Sequence, residues 1–185
     1  RAEQEGEIMR WSNFHYPGPS YGIASYSKPG TLLSTLRAVL GEETFMRGYR
    51  MFIDRWAFKH PYPYDLFNTF EDAAGRDLDW FWHSWYFETW TLDQAVAGVT
   101  MDGGRATITV EDRGRVPMPV RLAVTFADGS TQRVEIPVDV WLAGAAEASV
   151  TVDAPAAVTR VEIDPDGGFP DLDRSNNVWM GAGGP

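Results

Sequence analysis

The side chains able to move protons or hold ions are three histidines, seven tyrosines and 26 acidic residues against 16 basic ones, in 185 residues. His15, His60 and His83 stand far apart, without the i, i+4 histidine pair by which one helix face grips zinc. The sequence therefore predicts no metal site within this chain. His60 precedes Pro61 at a helix break and His83 sits among aromatics, positions where a packing or structural role is expected. No G-x-S-x-G nucleophile elbow and no Gly-Lys-Ser/Thr phosphate loop is present. With no cysteine, disulfides, thiolate metal sites, iron–sulfur clusters and cysteine nucleophiles are excluded. Asp164-Pro165-Asp166-Gly167-Gly168 looks faintly like a calcium loop, but its glycine falls two residues too early and no Glu closes it. Ordinary turn chemistry explains it better. The aromatic run from Trp80 to Phe87 could stack on sugars; at helical spacing, however, Phe81, Trp82 and Trp85 share one face, as a core requires.

These residues must be positioned by two kinds of element. Leu32, Leu33, Leu36, Val39 and Leu40 follow helical spacing, with Pro29 near the start and Gly41 as the stop. Phe45, Tyr49, Phe52, Ile53 and Trp56 repeat the pattern from about Glu42. His60-Pro61-Tyr62-Pro63 interrupts it. Asp65 is the expected N-cap of a third helix with Leu66, Phe67, Phe70 and Ala73 inward up to Gly75. Asp77 is expected to cap a fourth, with Leu78, Phe81, Trp82 and Trp85 inward. Short connections imply antiparallel, bundle-like packing. The period then changes to two: Val120, Leu122, Val124 and Phe126 alternate with polar or small residues. Asp128-Gly129 forms a hairpin turn, and Val134, Ile136 and Val138 continue the alternation. Shorter alternations at 106–110, 149–152 and 159–163 bring the count to six or seven strands, a small β-sandwich. Pro117, Pro119 and Pro137 belong on its edges or at bulges.

Composition changes where the period changes. Up to Leu92 there are 21 aromatic residues, and after it four. The expected fold is α+β: an N-terminal antiparallel helical bundle-like lobe over 1–92, a β-sandwich over 93–164, and an extended Pro/Gly/Asn-rich tail over 165–185 with Trp179 as its anchor. The net charge of −10 argues against nucleic acid, whose phosphates need a basic partner surface. No apolar run reaches the ~20 residues needed to span a bilayer. The opening Arg1-Ala2-Glu3-Gln4-Glu5 is acidic and lacks an initiator Met, so the chain reads as cut from the middle of a longer polypeptide.

One ordered series of words goes beyond composition. Tyr26-Ser27-Lys28-Pro29-Gly30 leads into a helix ending Leu40-Gly41-Glu42-Glu43-Thr44-Phe45. Trp56-Ala57-Phe58-Lys59-His60-Pro61-Tyr62-Pro63-Tyr64-Asp65 follows, then Gly75-Arg76-Asp77-Leu78-Asp79-Trp80-Phe81-Trp82. From Tyr16 to Asp93 this series resembles the aminopeptidase N-like gluzincin family of zinc metallopeptidases, in the part that follows the H-E-x-x-H helix pair. The sandwich half and the 164–177 stretch look like the β-domain that follows in some bacterial members.

The resemblance implies a zinc aminopeptidase parent acting on peptide N-termini, with zinc ligands upstream and none in this chain. Its partners would be the peptide substrate and the missing N-terminal catalytic region. Tyr26 corresponds to the family's catalytic tyrosine, which hydrogen-bonds the oxyanion formed when zinc-activated water attacks the scissile carbonyl. A phenol suits this task because it keeps its proton near neutral pH on a stiff ring. Tyr21, five residues earlier, is a candidate substrate-cleft residue without a transferable role. Ser27, and Pro29-Gly30 in place of Gly-Ala, depart from the commoner pattern and bear on how the site is positioned. Two alternatives stay open at this point: a relative that lost its zinc ligands and serves as a scaffold, and a β-sandwich binding module presenting Trp141 and Trp179.

Overall fold

The computed structural model describes residues 5–181, so Arg1-Ala2-Glu3-Gln4 and the last four residues lie outside the described part. The chain divides into two compact units, one running up to Thr89 and one starting at Trp90. The first is helical and the second is built of antiparallel sheets, so the expected α+β class is met.

In the helical unit, α1 spans Lys28–Leu40, α2 Glu42–Trp56, α3 Pro63–Ala74 and α4 Asp79–Trp82, the last continued by a π-turn at His83–Phe87. Gly75 stops α3 in the left-handed region (φ 65°), where glycine has no Cβ penalty, and its N–H caps the Glu71 carbonyl at 2.8 Å. The start of α3 differs from expectation. Its N-cap is Tyr62, and Asp65 lies a turn in, its Oδ2 accepting the Tyr62 N–H at 2.7 Å. Asp65 thus serves as the reach-back partner of a capping arrangement, because Pro63 already fits the first helical position. Similarly α4 begins after Leu78, while the Asp77 carboxylate accepts the Asp79 N–H at 2.6 Å.

Leu32, Leu36, Phe45, Phe67, Phe70, Leu78, Phe81 and Trp82 form the buried interior of this unit. Phe67 stacks on Trp82 with ring centroids 4.4 Å apart. Gly48 lets α2 press against α3: a Cβ there would sit 2.7 Å from Phe70 Cδ1. The stripe read on α2 is only partly covered, however. Phe45 is buried, whereas Tyr49 and Ile53 are exposed. The apolar stripe is wider than the face α3 can reach.

The second unit holds a three-stranded sheet, order β1-β2-β5, and a four-stranded sheet, order β4-β3-β6-β7. The strands are β1 Gln94–Asp102, β2 Arg105–Asp112, β3 Val120–Phe126, β4 Thr131–Ile136, β5 Glu147–Asp153, β6 Val158–Ile163 and β7 Val178–Met180. All pairings are antiparallel. Alternation works as expected: Val120, Leu122, Val124 and Phe126 point into the core with Ile108, Val110, Val161 and Ile163. Val138 does not extend β4. After Pro137, which donates no ladder bond, the chain turns into a short helix α5, Asp139–Leu142, and Trp141 plugs the core. Pro117, Pro119 and Pro137 lie in the connections flanking β3 and β4.

The stretch after Asp164 is held at two places. The buried Asp164 carboxylate accepts the Gly168 and Phe169 N–H groups and the Arg174 guanidinium. Further on, the Leu172 N–H donates to the Leu92 carbonyl and Val96 N–H to the Asn176 carbonyl, while the Asp171 carboxylate accepts the Gln94 N–H at 3.0 Å. The run to Met180 then pairs as β7 with β6, and Trp179 packs on the core.

Candidate functional site

The backbone before α1 determines where Tyr26 points. A helical turn at Ser20–Gly22 passes into a π-turn at Ile23–Ser27, which runs directly into α1. Pro29 gives the physical reason for the widening. It has no N–H for the Ser25 carbonyl one turn back, and its ring crowds that carbonyl. The turn is closed instead by the Lys28 N–H, which donates to the Ile23 carbonyl, the i→i+5 bond of a π-turn. Ala24 and Lys28, four apart, face inward, and Tyr26 between them faces out, 71% exposed. A π-turn also brings residues five apart towards one side. Tyr21 and Tyr26 meet edge to face at 6.4 Å, and His15 meets Tyr21 edge to face at 5.6 Å. The result is a short aromatic array, His15–Tyr21–Tyr26, that ends in an exposed phenol.

Lys28, on the inward face of the same turn, pairs its buried ammonium with a half-buried carboxylate. Lys28 Nζ sits 2.7 Å from Glu5 Oε1 and donates to the Glu88 carbonyl at 3.0 Å. The sequence singled out the Tyr-x-Lys spacing but not this burial. The only available signal was a lysine falling on the inward phase of Ala24.

A separate hollow of about 430 Å³ in the same unit is lined by Met9, Trp11, Tyr62, Pro63 and Tyr64 among others. The histidines are dispersed: His15 joins the tyrosine array, His60 is exposed in the break between α2 and α3, and His83 stacks on Phe87. They assemble no zinc ligand set. Among the described residues, Glu71, Asp77 and Asp79 have carboxylate oxygens within 4.8 Å of one another. These oxygens already serve the turn: Glu71 Oε1 accepts from the Leu78 N–H and from Trp82 Nε1, both at 3.1 Å. In the sandwich, Trp141 is buried and Trp179 is half-buried against the core.

The site lies within the segment that known proteins share. Residues 4–85 match the peptidase family M1 domain. A putative aminopeptidase-2 of Caenorhabditis elegans is 34% identical over 68 residues, 35% of this chain and 4% of that protein. Aminopeptidase N of Lactococcus lactis subsp. lactis is 30% identical over 60 residues, and aminopeptidase N of Streptomyces lividans 34% over 61; each match covers 7% of the relative. In fold, the chain is similar to the crystal structure of Legionella pneumophila aminopeptidase A in complex with aspartic acid. The TM-score is 0.60 at 13% identity, over 80% of this chain and 17% of that one. The chain is thus aminopeptidase N-like. Residues 4–85 are similar to peptidase family M1, and the whole chain spans only a small part of the length of the relatives it matches.

Proposed function

We propose that this chain is part of a zinc aminopeptidase and that Tyr26 supplies the hydrogen bond that stabilises the oxyanion of the scissile carbonyl. The exposed phenol at the end of the aromatic array, within the M1-matching segment, is the observation that carries this reading. An oxyanion donor must reach solvent-side substrate from a fixed backbone, and a helical turn running straight into α1 provides one. Tyr21 buttresses the ring and borders the substrate path. Among the described residues no histidine set fits a zinc site, and this reading assigns the metal, its ligands and the base that activates water to polypeptide outside this chain. The same polypeptide would cover the apolar faces that the helical unit leaves open, including Tyr49 and Ile53 on α2.

Two experiments test the reading. In the longer polypeptide, Tyr26→Phe is expected to lower kcat by about 10²–10³-fold. KM and zinc content should stay near wild type. Unchanged turnover removes Tyr26 from the mechanism. The isolated chain is expected to bind no stoichiometric zinc and to release nothing from an aminoacyl anilide. Metal analysis together with that assay checks this, and turnover above blank would count against it.

A further inference from the structure

Among the described residues, Lys28 is the only buried lysine or arginine. Taking an ammonium out of water is costly unless it is paired, and a hydrophobic side chain of the same length would fill the space more cheaply. Lys28 nevertheless sits at 8% side-chain exposure, two residues from Tyr26 and on the opposite face of the chain. Its main chain and side chain act at the same place. The Lys28 N–H closes the π-turn by donating to the Ile23 carbonyl. Its Nζ reaches Glu5, upstream of the turn, and the Glu88 carbonyl, just past the second π-turn at His83–Phe87. Three segments distant in sequence therefore converge on one ammonium under the tyrosine. A π-turn is a rare single-turn departure from α-helical geometry, met frequently at functional sites.

We propose that Lys28 is the positioning residue for Tyr26: pinned by Glu5 and the Glu88 carbonyl, it holds the π-turn in the register that aims the phenol outward. The inference rests on the reading of Tyr26 as the oxyanion donor. Lys28 touches no substrate in this scheme. Its effect on the reaction runs through the angle and reach of the neighbouring ring, where a displacement of an ångström is enough to matter.

The test compares Tyr26→Phe, Lys28→Met and the double variant Lys28→Met/Glu5→Gln in the longer polypeptide, reading kcat, KM and thermal midpoint. Lys28→Met leaves Glu5 without its cation and lowers the midpoint; the double variant removes both charges and recovers it. If Lys28 positions the ring, kcat falls at least about tenfold in both lysine variants while KM changes little. It then stays low in the double variant even though stability has returned. A kcat that recovers together with the midpoint assigns Lys28 a merely structural role and overturns the proposal. So does wild-type kcat in both lysine variants alongside a disabled Tyr26→Phe enzyme. If Tyr26→Phe itself is fully active, the reading of Tyr26 fails, and the two failures are thereby told apart.

Discussion

The two units solve the same problem, burying apolar surface, to different degrees. The sandwich unit exposes none of its aromatics fully: Phe126, Trp141 and Phe169 are buried, Trp90 and Trp179 are half-buried, and its exposed large apolar side chains are Met101, Leu142, Leu172 and Met180. The helical unit leaves Trp11, Phe14, Tyr16, Tyr21, Tyr26, Tyr49, Phe58, Tyr62 and Tyr64 in the open. Isolated exposed apolar residues need no explanation, but so many large rings on one small unit do. Two antiparallel sheets close a core between them, whereas a few short helices can cover only part of one another's faces. The sandwich thus closes its core, whereas the helical unit leaves a broad aromatic surface open.

The sharpest way to break that comparison is to cut each core. Phe70→Ala should cost the helical unit about 3–5 kcal/mol, and Leu122→Ala the sandwich about 2–5 kcal/mol. With two self-contained cores, denaturant unfolding of the isolated chain should show each substitution moving a different transition. A single transition displaced equally by both would contradict the division. Next in size is Gly48→Ala. Alanine favours helix by up to about 1 kcal/mol, but the added methyl would lie 2.7 Å from the ring of Phe70, which is fully buried. Overpacking wins, and the helical transition should fall by about 1–3 kcal/mol. A more stable variant would mean that α2 and α3 have room to separate.

The smallest effect belongs to the sandwich and depends on pH. Burial, reinforced by neighbouring carboxylates, pushes the Asp112 carboxyl above its ordinary value, and burial does the same to Asp171 beside Asp93. One Asp112 oxygen has no hydrogen-bond partner. A raised folded-state value means the native sandwich holds these protons more tightly than the unfolded chain. The cost of ionising them is therefore fully present at neutral pH, and it is relieved as the pH falls through the raised values towards 3.8, the ordinary one. Mild acidification should stabilise the sandwich. Asp112→Asn should raise its midpoint by about 2 °C at pH 7 and lose that advantage near pH 4. A midpoint that drops at pH 7 would show that the hydrogen bond from the Gly114 N–H to this carboxylate outweighs the cost of burying its charge.

Much of the framework was legible in the sequence because it depends on local chemistry. Gly41 and Gly75 mark helix ends where only a left-handed or similarly strained φ will do, and the alternation in β3 follows from one buried face. The errors lie where two local signals coincide. Val134, Ile136 and Val138 keep period two across Pro137, so α5 looked like more strand. Asp65 fits an N-cap, but Pro63 had already claimed the first turn. The candidate site was legible as residue identities and not as geometry. Nothing in Tyr-Ser-Lys-Pro announces a π-turn, and the partners of Lys28 lie 23 residues upstream and 60 downstream. Tyr49 and Ile53 on α2 are exposed for a related reason, since an amphipathic stripe states what needs covering and not what covers it.

The clasp between residues 92–96 and 171–176 has a consequence for synthesis. The opening residues of the sandwich leave the ribosome first, yet their hydrogen-bond partners are encoded some eighty positions later. Until those positions emerge, the Leu92 carbonyl and the Gln94 N–H lack these partners, although β2 can already pair with β1. Ending the chain at Pro170, which removes Asp171, Leu172 and Asn176 together, should therefore injure the beginning of the sandwich as well as its end.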